Sequence, residues 1–253
     1  MVTIKTPQEI KILKEGGKRL ASVLNELAHA VRPGISAKEL DDKARELIKK
    51  NGGEPAFLGY RPRGAIILYP AALCVSINDE VVHGIPSENK ILREGDIASL
   101  DLGLKYKNLF TDMAVTVGVG KISAVAQKLI NTAKESLFEG IKSIKEGATI
   151  GDYGWTVQNF AGKNGFSVVK ELVGHGVGYT PHEDPDIPNW GKKGVGLKLK
   201  KGMVLALEPM VCQGRPEVIL AQDNWTWKTK DGLLASHFEC TITVDKEVVN
   251  LNE

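Results

Sequence analysis

The chain has 253 residues, of which 42% are apolar and 25% charged, the usual proportions of a soluble globular protein. Its 33 basic and 31 acidic residues are interspersed and give a net charge of +2, so we expect no dedicated nucleic-acid surface. The chain has three scattered cysteines without a CxxC pair, no apolar leader, and no run near the roughly 18 apolar residues of a membrane span, which predicts a cytoplasmic protein without a disulfide framework.

Each half of the chain is predicted to begin with two helices. The first helix of each pair lies near 7–31 or near 123–145, and the second lies in GISAKELDDKARELIKKNGG (34–53) or GATIGDYGWTVQNFAGKNGF (147–166). Ser36 and Thr149 each precede an acidic residue by three positions, which is the signature of a capping box. The two second-helix segments align with each other, which indicates an internal repeat.

A second repeat follows the helices. LREGDIASLD (92–101) matches LKKGMVLALE (199–208), and both read as a polar glycine turn entering a strand that ends on a carboxylate. A chance similarity is the alternative, but two matches at similar shifts and in the same order argue against it. We therefore predict an α/β (α+β) fold with two pseudo-twofold-related halves, about 1–120 and 121–253. The halves should share one sheet within a single domain, 1–253, because no Pro/Gly/Ser-rich linker separates them.

Two aspartates are predicted to lie in one hairpin of apolar strands, at residues 97–117. With the turn centred between Tyr106 and Lys107, Asp101 would lie directly opposite Asp112. Two bare carboxylates in an apolar sheet are costly, and a shared divalent cation would relieve their repulsion. The alternative is that one of the two aspartates caps a turn.

Two glutamates repeat this pattern in later strands. Glu208 is the only charge in MVLALEPMV, and Glu239 lies in the apolar strand HFECTITV. Four carboxylates on strands predict either a metal cage or an acid/base pair.

Among the five histidines, three have unusual neighbours: His83 in VVHGIP, His175 in GHGVG and His182 in PHEDP. The glycines beside His175 permit close backbone approach and expose its imidazole. His29 reads as a surface residue. His237 should share a strand face with Glu239, where either a cavity-lining or a structural role is possible.

Together these motifs resemble the type I methionine aminopeptidases of peptidase family M24, which have the pita-bread fold. The matching segments are NDEVVHGIP (78–86), SLDLG (99–103), TDMAV (111–115), GHGVGYTPHEDP (174–185), GMVLALEPM (202–210) and the Glu239 strand. The resemblance implies a curved antiparallel sheet. It also implies a metalloaminopeptidase that removes the N-terminal methionine from nascent proteins when the second residue is small.

The resemblance also implies a set of metal ligands. Asp112 and Glu239 should bridge two divalent ions, Asp101 should complete one site, and His175 and Glu208 should complete the other. One imidazole and four carboxylates suit Co²⁺, Mn²⁺, Fe²⁺, Zn²⁺ or Ni²⁺. Two such ions can activate a water and stabilise a tetrahedral oxyanion.

Catalytic and substrate-binding roles follow from the same resemblance. Glu208 should accept a proton from the attacking water, His182 should contact the scissile carbonyl, and His83 should meet the substrate amide nitrogen. The methionine pocket should consist of Phe57, Tyr60, Tyr69, Cys74 and Trp225. The chain departs from the family pattern in a longer loop at 59–70 and in Val82, Gly103, Leu172 and Pro181.

Two other functions remain possible at this point. One is a Xaa-Pro aminopeptidase or prolidase-like peptidase, which usually carries an extra N-terminal domain; the other is a non-catalytic pita-bread binding protein, which typically lacks several ligands. We expect a monomer that acts on deformylated N-termini of nascent peptides, contacts the ribosome at most transiently, and binds no membrane.

Overall fold

Four helices and fourteen strands lie in the part of the chain that the computed structural model describes, residues 1–61, 67–244 and 249. The helices are α1 (Pro7–Ala30), α2 (Ala37–Lys50), α3 (Ala124–Ser143) and α4 (Ile150–Lys163). The strands are β1 (Glu54–Pro55), β2 (Leu73–Ile77), β3 (Glu80–Val82), β4 (Ile97–Tyr106), β5 (Leu109–Gly118), β6 (Ser167–Val168), β7 (Gly174–Gly176), β8 (Glu183–Ile187), β9 (Val204–Leu207), β10 (Met210–Cys212), β11 (Val218–Leu220), β12 (Trp227–Thr229), β13 (Ala235–His237) and β14 (Glu239–Thr243). None of the helices in these ranges has the length and hydropathy that crossing a membrane requires.

The predicted helix starts are confirmed by their hydrogen bonds. The Ser36 N–H donates to Glu39 Oε2 at 2.9 Å, and the Glu39 N–H donates to Ser36 Oγ at 3.1 Å. At the start of α4, the Thr149 N–H donates to Asp152 Oδ2 at 2.8 Å. Each carboxylate satisfies a backbone donor that the first helical turn leaves without a partner.

The two sequence repeats meet each other in the same way in both halves. The Gly34 N–H donates to the Leu92 carbonyl at 2.8 Å, and the Gly147 N–H donates to the Leu199 carbonyl at 2.9 Å. Each contact joins the turn before a second helix to the turn before a central strand. The repeats therefore occupy equivalent positions, as a pseudo-twofold relation requires.

The halves share one antiparallel sheet, as predicted. Its eight strands run in the order β1–β4–β5–β14–β9–β7–β8, and β2 also pairs with β4. Strands β1, β2, β4 and β5 come from the first half, and the other four come from the second. The halves meet where β5 pairs with β14.

The predicted centre of the β4–β5 turn is displaced by one residue, which shifts the predicted strand register by two. Tyr106 pairs with Leu109, so the turn consists of Lys107 and Asn108, with φ of 47° and 65°. A two-residue turn with positive φ at both residues has a backbone twist that matches the right-handed twist of the two strands it joins. Asparagine adopts a positive φ at little cost.

This turn changes the partners of the two aspartates. Asp101 lies opposite Ala114, and Asp112 lies opposite Gly103, so the aspartates are diagonal neighbours rather than directly opposed. Because side chains alternate along a strand, a shift of two residues leaves both aspartates on the same face of the sheet. Nor does Asp101 end its strand, since β4 continues to Tyr106.

The other face of the sheet packs against the helices. Residues of α1 and α2 form one buried cluster with Ala98, Leu100, Leu102 and Leu104 of β4. Residues of α3 and α4 form another with Leu205 and Leu207 of β9 and with Cys240 and Ile242 of β14. One sheet face therefore builds the core, and the opposite face is free to carry polar groups.

Candidate metal centre and pocket

The strand register places acidic side chains in a row across the polar face. Cys74 pairs with Asp101, Asp101 pairs with Ala114, and Ala114 pairs with Glu239. Directly paired residues point to the same side of a sheet. Residues from β2, β4, β5 and β14 are thus brought together although the chain separates them widely.

A second row brings the histidine. Thr241 pairs with Ala206, which in turn pairs with His175, and Glu208 directly follows β9. One ligand atom each of Asp112, His175 and Glu239 lies within 4.8 Å of the other two. The five predicted ligands are all buried.

Two glycines allow His175 to reach this position. A Cβ at Gly174 would lie 2.5 Å from the Ala206 carbonyl oxygen, and one at Gly176 would lie 2.2 Å from the Asp184 carbonyl oxygen. The predicted close backbone approach is confirmed at both, whereas the predicted exposure of the imidazole is wrong, because His175 is buried. His175 Nδ1 lies 2.9 Å from the Gly176 carbonyl oxygen, which fixes the proton on Nδ1 and leaves the Nε2 lone pair free. That Nε2 lies 3.4 Å from Glu208 Oε1.

The four carboxylates do not ionise easily without a cation. Burial raises the pKa of Asp112 to about 7. Burial also raises the pKa of Asp101, Glu208 and Glu239 well above the usual range, with the charges of neighbouring carboxylates adding to the effect. The site therefore has a strong electrostatic demand for positive charge.

The imidazoles of His83, His175 and His237 are neutral at pH 7. Burial lowers the pKa of His175 and of His83 to about 4. Burial and the charges of His83 and His175 lower the pKa of His237 to about 3. Protonated histidines therefore do not supply the missing positive charge, whereas neutral ones can bind a metal.

Two histidines flank the candidate ligands at the mouth of the site. The exposed His182 has its ring centroid 4.1 Å from that of His175 and is stacked on Tyr60 at 5.0 Å. His83 has a φ of 59°, a conformation that is uncommon outside glycine and that concentrates at functional sites. Its ring meets the edge of Trp225 at 6.2 Å.

Aromatic side chains form the wall beside the carboxylates. The Tyr69 ring makes edge contacts with Phe57 at 6.5 Å and with Trp225 at 5.1 Å, and its hydroxyl donates to the Gly84 carbonyl at 3.1 Å. This wall is apolar and buried, as a pocket for an aliphatic or thioether side chain requires.

A single cavity of about 280 Å³ brings together every predicted site residue. Its predicted lining residues are Phe57, Tyr60, Tyr69, Cys74, His83, Asp101, Asp112, His175, His182, Glu208, Trp225 and Glu239. Residues not predicted as site residues also line it: Val82, Glu171, Leu172, Val173 and Met210. Their position beside His83, GHG and LALEP in the sequence was the available signal. The roles of all these residues stay predictions, and residues 62–66 of the longer loop lie outside the described residues.

The prediction that His237 and Glu239 share one strand is wrong. The chain leaves β13 at His237, passes Phe238, and enters β14 in the eight-stranded sheet at Glu239. His237 is nevertheless buried beside the site, with Nε2 3.5 Å from Glu208 Oε2.

The departure at Gly103 has a steric cause. A Cβ there would lie 2.7 Å from Phe57 Cε1 and 2.8 Å from Ala56 Cβ. We expect Gly103→Ala to overpack the pocket wall and to reduce the free energy of unfolding by about 1–3 kcal/mol. Denaturant unfolding measures this. Gly162→Ala is the control for an added methyl in open space, because no heavy atom outside the neighbouring backbone of α4 lies within 4 Å of its added Cβ.

A double variant isolates the contact with the Phe57 ring. Phe57→Ala should make the added methyl at position 103 less costly, so that the two effects are not additive. Equal stability of Gly103→Ala and the unsubstituted chain would show that the ring moves aside freely.

Comparison with known proteins decides the family. Residues 11–246 match Metallopeptidase family M24. The methionine aminopeptidase of Aquifex aeolicus is 42% identical over 249 residues, covering 97% of this chain and 96% of that protein. Methionine aminopeptidase 1 of Bacillus subtilis is 43% identical over 244 residues, covering 96% of each. The chain belongs to the methionine aminopeptidases of family M24.

Solved structures confirm the fold of this M24 metallopeptidase. The crystal structure of methionine aminopeptidase from Thermotoga maritima superposes with a TM-score of 0.95 at 42% identity and covers all of both chains. Prolidase from Pyrococcus furiosus shares the fold, with a TM-score of 0.78 at 22% identity, and this chain covers 66% of it. The predicted pita-bread fold of two pseudo-twofold-related halves is confirmed.

The residues present in this M24 metallopeptidase fit the divalent metal that its family implies. Asp101 Oδ1 and Glu239 Oε1 are buried without a hydrogen-bond partner among the described residues. Unpaired buried carboxylate oxygens are costly, and a hard divalent cation prefers such oxygens together with an imidazole nitrogen. The donor set therefore suits a divalent metal.

Metal binding by this M24 metallopeptidase should tighten as pH rises from 6 to 8. Carboxylates with raised pKa values, such as Asp112 at about 7, hold protons at pH 6 that a cation must displace. Fewer protons remain at pH 8, while His175, with a pKa of about 4, is neutral throughout. For each proton that the metal displaces, the apparent metal affinity should rise by up to about tenfold per pH unit. Titration calorimetry with Mn²⁺ in two buffers of different ionisation enthalpy counts the protons, and a pH-independent affinity without proton release would refute this expectation.

Proposed function

We propose that this chain removes the N-terminal methionine from nascent proteins whose second residue is small, using two divalent metal ions. One observation carries the proposal. A single cavity is lined both by an aromatic pocket of bounded size and by a buried set of four carboxylates and one imidazole. The methionine aminopeptidases that the chain resembles over nearly all its length support it.

The proposed ligands divide between two ions. Asp112 and Glu239 would bridge them, Asp101 would complete one site, and His175 and Glu208 would complete the other. Bound there, the ions would supply charge stabilisation and an activated water, whether they are Co²⁺, Mn²⁺, Fe²⁺, Zn²⁺ or Ni²⁺. The raised pKa values of the four carboxylates support the binding of cations here, since burial and the neighbouring carboxylates disfavour their charged forms.

The remaining residues would orient the peptide. The wall of Phe57, Tyr69 and Trp225 would receive the methionine side chain, and the adjacent Asp101 would attract the free α-amino group. Tyr60 and Cys74 would complete that pocket. The reacting bond would then lie towards the mouth of the cavity.

Three residues would act on the reacting bond. Glu208 would accept the proton of the attacking water. His182 would donate to the carbonyl oxygen as charge develops there, and His83 would assist the departing amine. The exposed position of His182 and the strained backbone of His83 support these roles.

The proposed substrate is the deformylated N-terminus of a nascent peptide. A site that holds a free α-amino group beside a carboxylate would exclude a formylated or acetylated one. We also propose that the chain works as a cytoplasmic monomer that meets the ribosome surface transiently.

Stripping and restoring the metal tests the proposal. Turnover of Met-Ala-Ser should cease after chelation and dialysis and return on addition of Mn²⁺, Fe²⁺ or Co²⁺. Unchanged turnover in the chelated protein, with its metal content verified as nil, would contradict it.

A further inference from the structure

Glu208 lies between two imidazoles. Its Oε1 is 3.4 Å from His175 Nε2, and its Oε2 is 3.5 Å from His237 Nε2. His237 Nε2 is also 3.9 Å from Glu239 Oε2. The sequence resemblance accounts for His175 but assigns nothing to His237.

The position of His237 is set by its backbone. His237 pairs with Met210, two residues after Glu208, which brings its side chain beside the carboxylate. The His237 N–H donates to Thr116 Oγ1 at 2.9 Å, and the Thr116 hydroxyl donates to the His237 carbonyl at 2.8 Å. Thr116 is itself hydrogen-bonded to Ser99 at 2.8 Å. The β4–β5 hairpin thus fixes the residue without any contribution from the ring.

The ring is polar where packing alone would favour an apolar side chain. His237 is 1% exposed, and neither ring nitrogen has a hydrogen-bond partner among the described residues. A buried polar group without a partner is destabilising, because it has given up its hydrogen bonds to water. The carboxylates of Glu208 and Glu239 are the groups that could satisfy it, because a shift of a few tenths of an ångström brings Nε2 within hydrogen-bond distance of Glu208 Oε2.

We propose that His237 is a positioning residue for Glu208, through an Nε2–H that donates to Glu208 Oε2 when the site is loaded. This inference rests on the proposed function, because it concerns the carboxylate that would both bind a cation and accept the proton of water. Oε1, on the His175 side, stays available to the cation. The hydrogen bond fixes which Glu208 oxygen faces the cation and the other proposed metal ligands.

The tautomer distinguishes this role from direct ligation. Glu208, His237 and Glu239 lie close enough to hold a metal themselves, with ligand atoms within 4.8 Å of one another. Binding through Nε2 requires the proton on Nδ1. His175 has a carbonyl 2.9 Å from its Nδ1 that holds the proton there, whereas His237 Nδ1 has no such acceptor among the described residues. The geometry therefore favours Nε2–H on His237, which donates and does not ligate.

Two variants separate donation from packing. His237→Leu removes the donor and fills the buried space with an apolar side chain, and His237→Gln keeps an N–H donor. Loss of a hydrogen-bond partner to a metal ligand typically costs 10–100-fold in metal affinity or activity. We expect His237→Leu to lower Mn²⁺ affinity and kcat for Met-Ala-Ser by about that factor, with KM little changed. His237→Gln should recover most of both. The same substitutions at the exposed His29 should change neither the Mn²⁺ affinity nor kcat.

The measurements are calorimetric titration with Mn²⁺, steady-state kinetics, and ¹⁵N–¹H NMR of the histidine rings in the Zn²⁺-loaded unsubstituted chain. The NMR spectrum should show a proton on His237 Nε2. An unprotonated Nε2, a leucine variant with full metal affinity and kcat, or a glutamine variant as impaired as the leucine variant would overturn the proposal.

If His237→Leu does not fold, the glutamine variant and the NMR spectrum decide. If the unsubstituted chain does not cleave Met-Ala-Ser, the proposed function fails, while calorimetry and NMR still test the role of His237.

Discussion

Replacing Asp112 with asparagine is expected to deplete the bound metal and to lower kcat for Met-Ala-Ser by on the order of 10³ or more. Ligand atoms of Asp112, His175 and Glu239 lie within 4.8 Å of one another, so this carboxylate is central to the donor set. A neutral amide removes one negative charge from it. Because a catalytic metal supplies several kcal/mol of transition-state stabilisation, its loss corresponds to at least about three decades in rate.

Elemental analysis and steady-state kinetics on the same sample measure both effects. Asp42→Asn is the matched control, because Asp42 is an exposed aspartate on α2 that pairs with Lys38. It should keep full metal content and rate. Full activity of Asp112→Asn in metal-free buffer would rule out the metal mechanism, and Glu239→Gln provides an independent repeat at the other proposed bridging ligand.

Replacing His182 with alanine is expected to leave metal content unchanged and to lower kcat by about 10²–10³, the usual cost of one lost oxyanion donor. His182 lies at the exposed mouth of the cavity, whereas His175 is buried with its Nε2 facing Glu208. His175→Ala should therefore lose metal affinity as well as rate.

The two histidines form a natural matched pair, since their ring centroids are only 4.1 Å apart. Elemental analysis after equilibration with limiting Mn²⁺ distinguishes them. Equal metal content in the two alanine variants would refute the proposed division between ligand and catalytic residue.

Strand alternation explains why the acidic face could be predicted from the sequence although the hairpin register was wrong. An error of two residues changes the partner of Asp101 from Asp112 to Ala114 but preserves the face to which each side chain points. An error of one residue would have moved Asp112 into the helix-packed core. Lone carboxylates in apolar strands therefore predicted correctly which side chains share the site, but not which of them lie directly opposite each other.

The remaining parts of the site depend on contacts between distant segments. Nothing near Gly103 in the sequence reveals that the ring of Phe57 occupies the space of its missing Cβ. His237 reaches Glu208 because β13 pairs with β10, and the break at Phe238 that separates it from the strand of Glu239 has no turn residue to mark it. Local patterns cannot predict such tertiary neighbours.

A competition among four peptides tests the central claim most directly. Met-Ala-Ser, Met-Leu-Ser, formyl-Met-Ala-Ser and Ala-Pro-Ser are mixed in equal amounts with the Mn²⁺-loaded chain, and their products are followed by mass spectrometry. Met-Ala-Ser alone should be cleaved rapidly, because the proposed pocket would accept methionine, the proposed site would hold a free amino group, and the rim near His83 and His182 would limit the second residue. Preferential cleavage of Ala-Pro-Ser would instead assign the chain to the Xaa-Pro peptidases, and cleavage of no peptide with any divalent metal would indicate a binding protein.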